Sequence, residues 1–138
     1  MNGAPTGSHP RTAEEVSRAA AAIVASFGAH RPRDYFAGFA PDATFIFHTH
    51  PERLEDRAAY EQLWSVWETD GFRVEGCTSH DGRVDVLDDE VAVFTHRVRT
   101  RLAGEPEALE ERETIVFRRD ARGGWLAVHE HLSPVVVP

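Results

Sequence analysis

The chain has 138 residues, 41% hydrophobic and 28% charged, which fits one globular domain with its own buried core. Its formal net charge of -8 argues against nucleic acid or an anionic membrane as partner, and no apolar run approaches the ~20 residues needed to span a bilayer. Every basic side chain is Arg, which removes Schiff-base chemistry and a lysine-anchored pyridoxal phosphate, and the lone Cys77 excludes an internal disulfide or a Cys-rich zinc motif.

Residues 1–11 read as a flexible tail without the basic start or apolar core of a secretion signal, which points to the cytosol. The domain then occupies 12–138. Thr12 and Glu15 have the form of a capping box, and Val16, Ala20, Ile23 and Phe27 recur at helical spacing, predicting a first helix to about Gly28. Pro32 opens a short second helix carrying Tyr35, Phe36 and Phe39, which Pro41 and Asp42 close. Thr44 to His50 is the first predicted strand, stopped by Pro51. Asp56 can cap a third helix on which Tyr60, Leu63, Trp64 and Trp67 share one face.

From Phe72 the pattern changes to strands separated by Asp81-Gly82, Asp88-Asp89, Gly104 to Pro106 and Gly123-Gly124, an antiparallel meander. Helices gathered first and strands second predict an α+β domain with the helices packed on one face of the sheet. Pairing Glu90–Leu102 with Glu107–Arg119 around Gly104 places Arg97 opposite Glu113 and Arg99 opposite Glu111. In that register the inward face holds Ala92, Phe94, His96 and Val98 from one strand and Arg112, Thr114 and Val116 from the other; a one-residue slip would reverse the second strand.

Several residues could carry chemistry. His96 suits proton exchange near neutral pH, or is a buried structural histidine. Glu130 projects opposite to His129 and His131, alongside Leu126, Val128 and Leu132; in an apolar wall it would be a usable acid or base, or it would pair with Arg112. His48-Thr49-His50 and His129-Glu130-His131 each place two imidazoles on one strand face, a set that could bind Zn, Cu, Fe or Ni, or pack at a subunit contact. Tyr35, Phe39, Tyr60, Trp64 and Trp67 form an aromatic stripe suited to a core. No nucleophile elbow, phosphate-binding glycine loop or dinucleotide fingerprint occurs.

The stretch ERETIVFRRDARGGWLAVHEHLSP resembles the end of SnoaL-like and related nuclear-transport-factor-2-like domains, and FAPDATFIFHTHPERLEDRAAYEQLW resembles their first strand and third helix. The resemblance implies a cone-shaped curved antiparallel sheet with three N-terminal helices on its concave face, enclosing one pocket, commonly in a homodimer. Relatives include ketosteroid isomerases, polyketide cyclases, dehydratases and noncatalytic association domains. The isomerases place an acidic base on the first strand, where this chain has Phe45, Ile46, Phe47 and His48. The expectation is a cofactor-independent enzyme of isomerase, cyclase or dehydratase type acting on a small hydrophobic carbonyl compound. His96 or Glu130 would carry protons, Arg112 and Tyr60 would anchor polar groups, and Tyr35, Phe47, Trp64 and Thr114 would line the pocket. The alternatives are a noncatalytic ligand-binding or dimerisation module, and a metal-binding variant using His48, His50, His129 and His131.

Overall fold

The computed structural model describes residues 9–136. In chain order it contains helices α1 (Pro10–Gly28) and α2 (Pro32–Ala37), strand β1 (Phe39–Phe47), helix α3 (Arg57–Thr69), and strands β2 (Val74–Val86), β3 (Val91–Leu102), β4 (Leu109–Arg119) and β5 (Trp125–Pro134). This is the expected α+β domain. The strands form one open sheet in the order β1-β5-β4-β3-β2, with β2 to β5 an antiparallel meander. Only β1 runs parallel to its neighbour, β5, so the sheet is mixed. Among the described residues no helix is long and apolar enough to cross a membrane.

Helix α1 begins earlier than the capping-box pattern suggests. Pro10 sits in its first turn, where a missing N–H costs nothing, and no side chain caps it. Glu15 instead accepts a hydrogen bond from Trp125 Nε1 at 3.1 Å, tying α1 to β5. Of the predicted tail, residues 1–8 lie outside the described residues, while Pro10 and Arg11 are helical. Helix α2 stops at Ala37, and Phe39 already opens β1. Pro41 is tolerated inside β1 because that strand lies at the sheet edge, where its pairing with β5 is interrupted between Phe39 and Thr44. The strand ends at Phe47, so His48, Thr49 and His50 occupy the following turn and not the strand. Helix α3 follows the sequence pattern: Asp56 accepts from the Ala59 N–H at 2.8 Å, and Tyr60 and Trp64 are buried.

Asp81-Gly82 is no chain reversal. It is an irregularity inside the long strand β2, with Asp81 at φ +58° and the pairing to β3 shifted between His80 and Arg83. A Cβ on Gly82 would lie 3.2 Å from the Phe94 ring, so a side chain there requires that ring to shift.

The β3–β4 register differs from the charge-paired one by a single residue. His96 lies opposite Glu113, Val98 opposite Glu111, and Arg97 opposite Arg112. The slip turns Glu111, Glu113, Ile115 and Phe117 inward and sends Arg112, Thr114 and Val116 to the outer face. Ile115 and Phe117 are both fully buried, and their combined apolar area decides the register over surface charge pairs worth little. A second irregularity lies in β5. Val116 pairs with His129 but Phe117 with Ala127, so Val128 is extra, and the inward series runs Trp125, Ala127, Glu130. Glu130 therefore shares its face with Ala127 and not with Leu126 or Val128.

Candidate functional site

Between the inner sheet face and the helices lies a cavity of about 260 Å³. Its walls are largely apolar and aromatic: Ile23 and Phe27 come from α1, Phe47 from β1, Trp67 from α3, and Val98 and Leu132 from the sheet. Into this apolar space project three carboxyl groups, Glu111 and Glu113 from β4 and Glu130 from β5, together with the hydroxyls of Tyr35 and Tyr60. All three glutamates are buried.

Each carboxyl has one fixed partner. Tyr35 donates its hydroxyl to Glu130 Oε1 at 3.2 Å, and the Tyr60 and Tyr35 hydroxyls lie 3.0 Å apart. With Tyr35 committed as donor to Glu130, Tyr60 must donate to Tyr35, giving a directed chain Tyr60, Tyr35, Glu130. Glu113 Oε1 lies 2.6 Å from His96 Nε2, and His96 Nδ1 lies 2.5 Å from Ser79 Oγ. Glu111 Oε2 is 2.6 Å from His48 Nε2 in the turn after β1.

Burial sets the protonation states. It pushes Glu130 well above the usual carboxylate range, and the neighbouring Glu113 adds to the rise. Glu113 is raised by the same cause. Burial likewise raises both tyrosines well above the ordinary phenol range and pushes His96 down to about 4. The charged form is disfavoured on both sides of the His96–Glu113 contact, so the neutral pair is the consistent assignment. The Glu113 O–H then donates to Nε2, and Nδ1–H donates to Ser79.

Of the residues singled out by sequence, Glu130, Tyr35, Tyr60 and Phe47 do line the cavity. Others do not. His96 stands behind Glu113 and is absent from the wall, and Trp64, 2% exposed, packs behind Tyr35 and Tyr60 while Trp67 takes the wall position. Arg112 is exposed on the outer face, so it neither anchors a ligand nor pairs with Glu130, and Thr114 is directed outward with it. The two histidine pairs do not converge on one ligand set among the described residues. His48 is held by Glu111, His129 Nδ1 lies 2.8 Å from Thr44 Oγ1, and His131 is exposed. Although β1 and β5 are neighbours, the described residues contain no group of three or more His, Cys, Asp or Glu side chains placed to hold a metal ion.

Glu111 and Glu113 were missed because the charge-paired register turned them outward. The signal that would have found them is parity with Ile115 and Phe117, the two largest apolar residues of that strand.

A profile of the SnoaL-like domain matches residues 16–138. No curated protein sequence matches the chain. Solved structures do. The ketosteroid isomerase-like protein of Erwinia carotovora atroseptica SCRI1043 superposes with a TM-score of 0.80 at 15% identity, covering 93% of this chain and 99% of that one. ActVI-ORFA of Streptomyces coelicolor gives 0.71 at 17% identity, with 90% and 97% covered. A putative scytalone dehydratase from Novosphingobium aromaticivorans DSM 12444 gives 0.71 at 15% identity, with 89% and 83% covered. At these identities the likeness is one of fold.

Proposed function

The chain belongs to the SnoaL-like domain family, and from that premise we propose that its cavity is the active site of an enzyme that moves protons on a small hydrophobic carbonyl compound, in an isomerase, cyclase or dehydratase reaction. The observation that carries this reading is the buried pair Glu113 and Glu130, two carboxyls of raised pKa facing one apolar cavity. Carboxyls displaced toward neutrality exchange protons efficiently at physiological pH.

The two glutamates are not equivalent. Glu130 is held the more strongly in its neutral form, so it is the group that keeps a proton to place on a carbonyl oxygen. Glu113, neutral in the empty site, ionises more readily than Glu130, and in that ionised form it is the base for a carbon-bound proton next to the carbonyl. Protonation of oxygen by Glu130 and removal of the carbon proton by ionised Glu113 convert ketone to enol, the negative charge passing from Glu113 to Glu130. His96, hydrogen-bonded behind Glu113, accepts a share of the proton Glu113 takes up, and the Tyr60–Tyr35 chain steadies Glu130 as it loses its own. The cavity volume, just below the ~300–1,000 Å³ usual for ligand sites, favours a molecule of one or two rings.

The test is exchange of carbon-bound hydrogen for deuterium on β-tetralone in deuterium oxide, followed by proton NMR. The wild-type protein should accelerate exchange by about a hundredfold or more over buffer, the usual worth of a positioned acid or base. Glu113→Gln and Glu130→Gln should each abolish most of that acceleration. Exchange no faster than in buffer, or unaffected by both substitutions, would remove the proposal.

A further inference from the structure

Resting on the reading of this cavity as the ligand site, we propose that its natural ligand carries a positively charged nitrogen on a hydrophobic ring system, and that the site selects such a cation over neutral and anionic molecules of the same shape. Two features of the cavity wall point to this.

The first is its charge. The wall includes Glu111, Glu113 and Glu130 but no Arg and no His, although the chain has 15 Lys and Arg residues, all of them Arg. The fixed partners occupy one oxygen of each carboxyl: Glu111 Oε2, Glu113 Oε1 and Glu130 Oε1. For the other three oxygens, the described residues supply no donor beyond a proton shared within the carboxyl cluster itself. All three carboxyls line the cavity, so a ligand placed there meets them directly. Buried polar atoms are almost always satisfied, and an ammonium group, with up to three donors and a positive charge, satisfies this set best.

The second is the arrangement of rings. Phe47, Tyr60, Trp67 and Phe72 form a continuous aromatic lining, with successive centroids 5.0, 6.1 and 5.3 Å apart. The first two contacts are edge-on, and all four residues line the cavity. Ring faces attract cations, and a cage of aromatic faces beside carboxylates is the general solution for recognising an organic ammonium ion. An anion meets three carboxyls and no counter-charge. A neutral hydroxyl can satisfy one oxygen but gains neither charge pairing nor the cation–ring attraction.

Binding a cation draws a carboxyl into its ionised form. The empty cavity holds Glu113 and Glu130 protonated by burial, so ammonium binding releases a proton and strengthens as pH rises. Combined with enolisation chemistry, the substrate is a hydrophobic carbonyl compound bearing a basic nitrogen.

The experiment is calorimetric titration of the full chain with naphthylethylamine, naphthylethanol and naphthylacetate, in two buffers of different ionisation heat. The amine should bind about tenfold or more tighter than the alcohol, a margin of one favourable charge interaction, and the acetate should not bind. Amine binding alone should release a proton. In Glu113→Gln and Glu130→Gln the amine should lose more affinity than the alcohol, so that the margin narrows; if either variant fails to fold, the wild-type amine-to-alcohol ratio and proton release decide. Alcohol binding as tightly as amine would overturn the cation claim and leave the cavity as a ligand site. No binding by any of the three would overturn both.

Discussion

Tyr35→Phe isolates the hydroxyl at the centre of the site. Tyr35 is 2% exposed and its ring packs against Phe27, Phe36 and Phe39, contacts that Phe preserves. What is lost is one hydrogen bond to Glu130 and one from Tyr60. At about 1 kcal/mol each, with a further penalty because both partners stay buried, the substitution should cost about 2–3 kcal/mol. Tyr60→Phe removes only the outer bond and should cost about 1 kcal/mol. Because the Tyr60 hydroxyl has no other hydrogen bond among the described residues, the double variant should cost little more than Tyr35→Phe alone, a coupling of about 1 kcal/mol. Urea unfolding followed by tryptophan fluorescence reports all three, provided the slope with denaturant is unchanged. A Tyr35→Phe cost below about 0.5 kcal/mol, or strict additivity, would refute the directed chain.

Glu113, Glu130 and His96 are among the residues that make stability depend on pH. The folded-state pKa values of Glu113 and Glu130 lie above those of the unfolded chain, so their contribution is complete below about pH 4.3 and is lost as pH rises through the folded values. His96 is depressed to about 4, so its contribution is complete above the ordinary histidine value of about 6.5 and is lost as pH falls toward 4. Urea midpoints across pH should therefore decline on both sides of a mildly acidic optimum. Glu130→Gln should flatten the alkaline limb and His96→Asn the acid limb, and an alkaline limb unchanged in Glu130→Gln would contradict the assignment. The Cys77 thiol, pushed up to about 12 by burial, should react with a disulfide reagent at mildly alkaline pH about tenfold or more slower in the folded protein than in urea. Equal rates would show that the thiol is neither buried nor depressed in reactivity.

Local pattern made much of the architecture legible. The spacing of Tyr60, Leu63, Trp64 and Trp67 marked helix α3 and its buried face, and Asp56 marked its start, because both signals act within one or two turns. Glu130 was also placed correctly on the inner face with Leu132, although Leu126 and Val128 were not. What escaped was decided between strands. The pairing of β3 with β4 turned on whether Ile115 and Phe117 or a pair of surface Arg–Glu contacts would prevail, and the extra residue Val128 in β5 leaves no mark in an alternating pattern. Arg112 as ligand anchor followed from the slipped register, whereas His96 does lie on the buried face and stands behind Glu113, off the cavity wall. Glu111 and Glu113 on an inward face contradict the ordinary rule that carboxyls stay in solvent, and such violations gather at functional sites.

The most direct test of the site is the protonation state of its carboxyls. An infrared difference spectrum between wild-type protein and Glu130→Gln at neutral pH resolves the carbonyl stretch of an un-ionised carboxylic acid from the bands of carboxylates. The account predicts that wild-type protein shows this acid band, that Glu130→Gln loses part of it, and that saturating naphthylethylamine diminishes it. A spectrum in which every glutamate is ionised at neutral pH would contradict the acid-base role assigned to the buried pair.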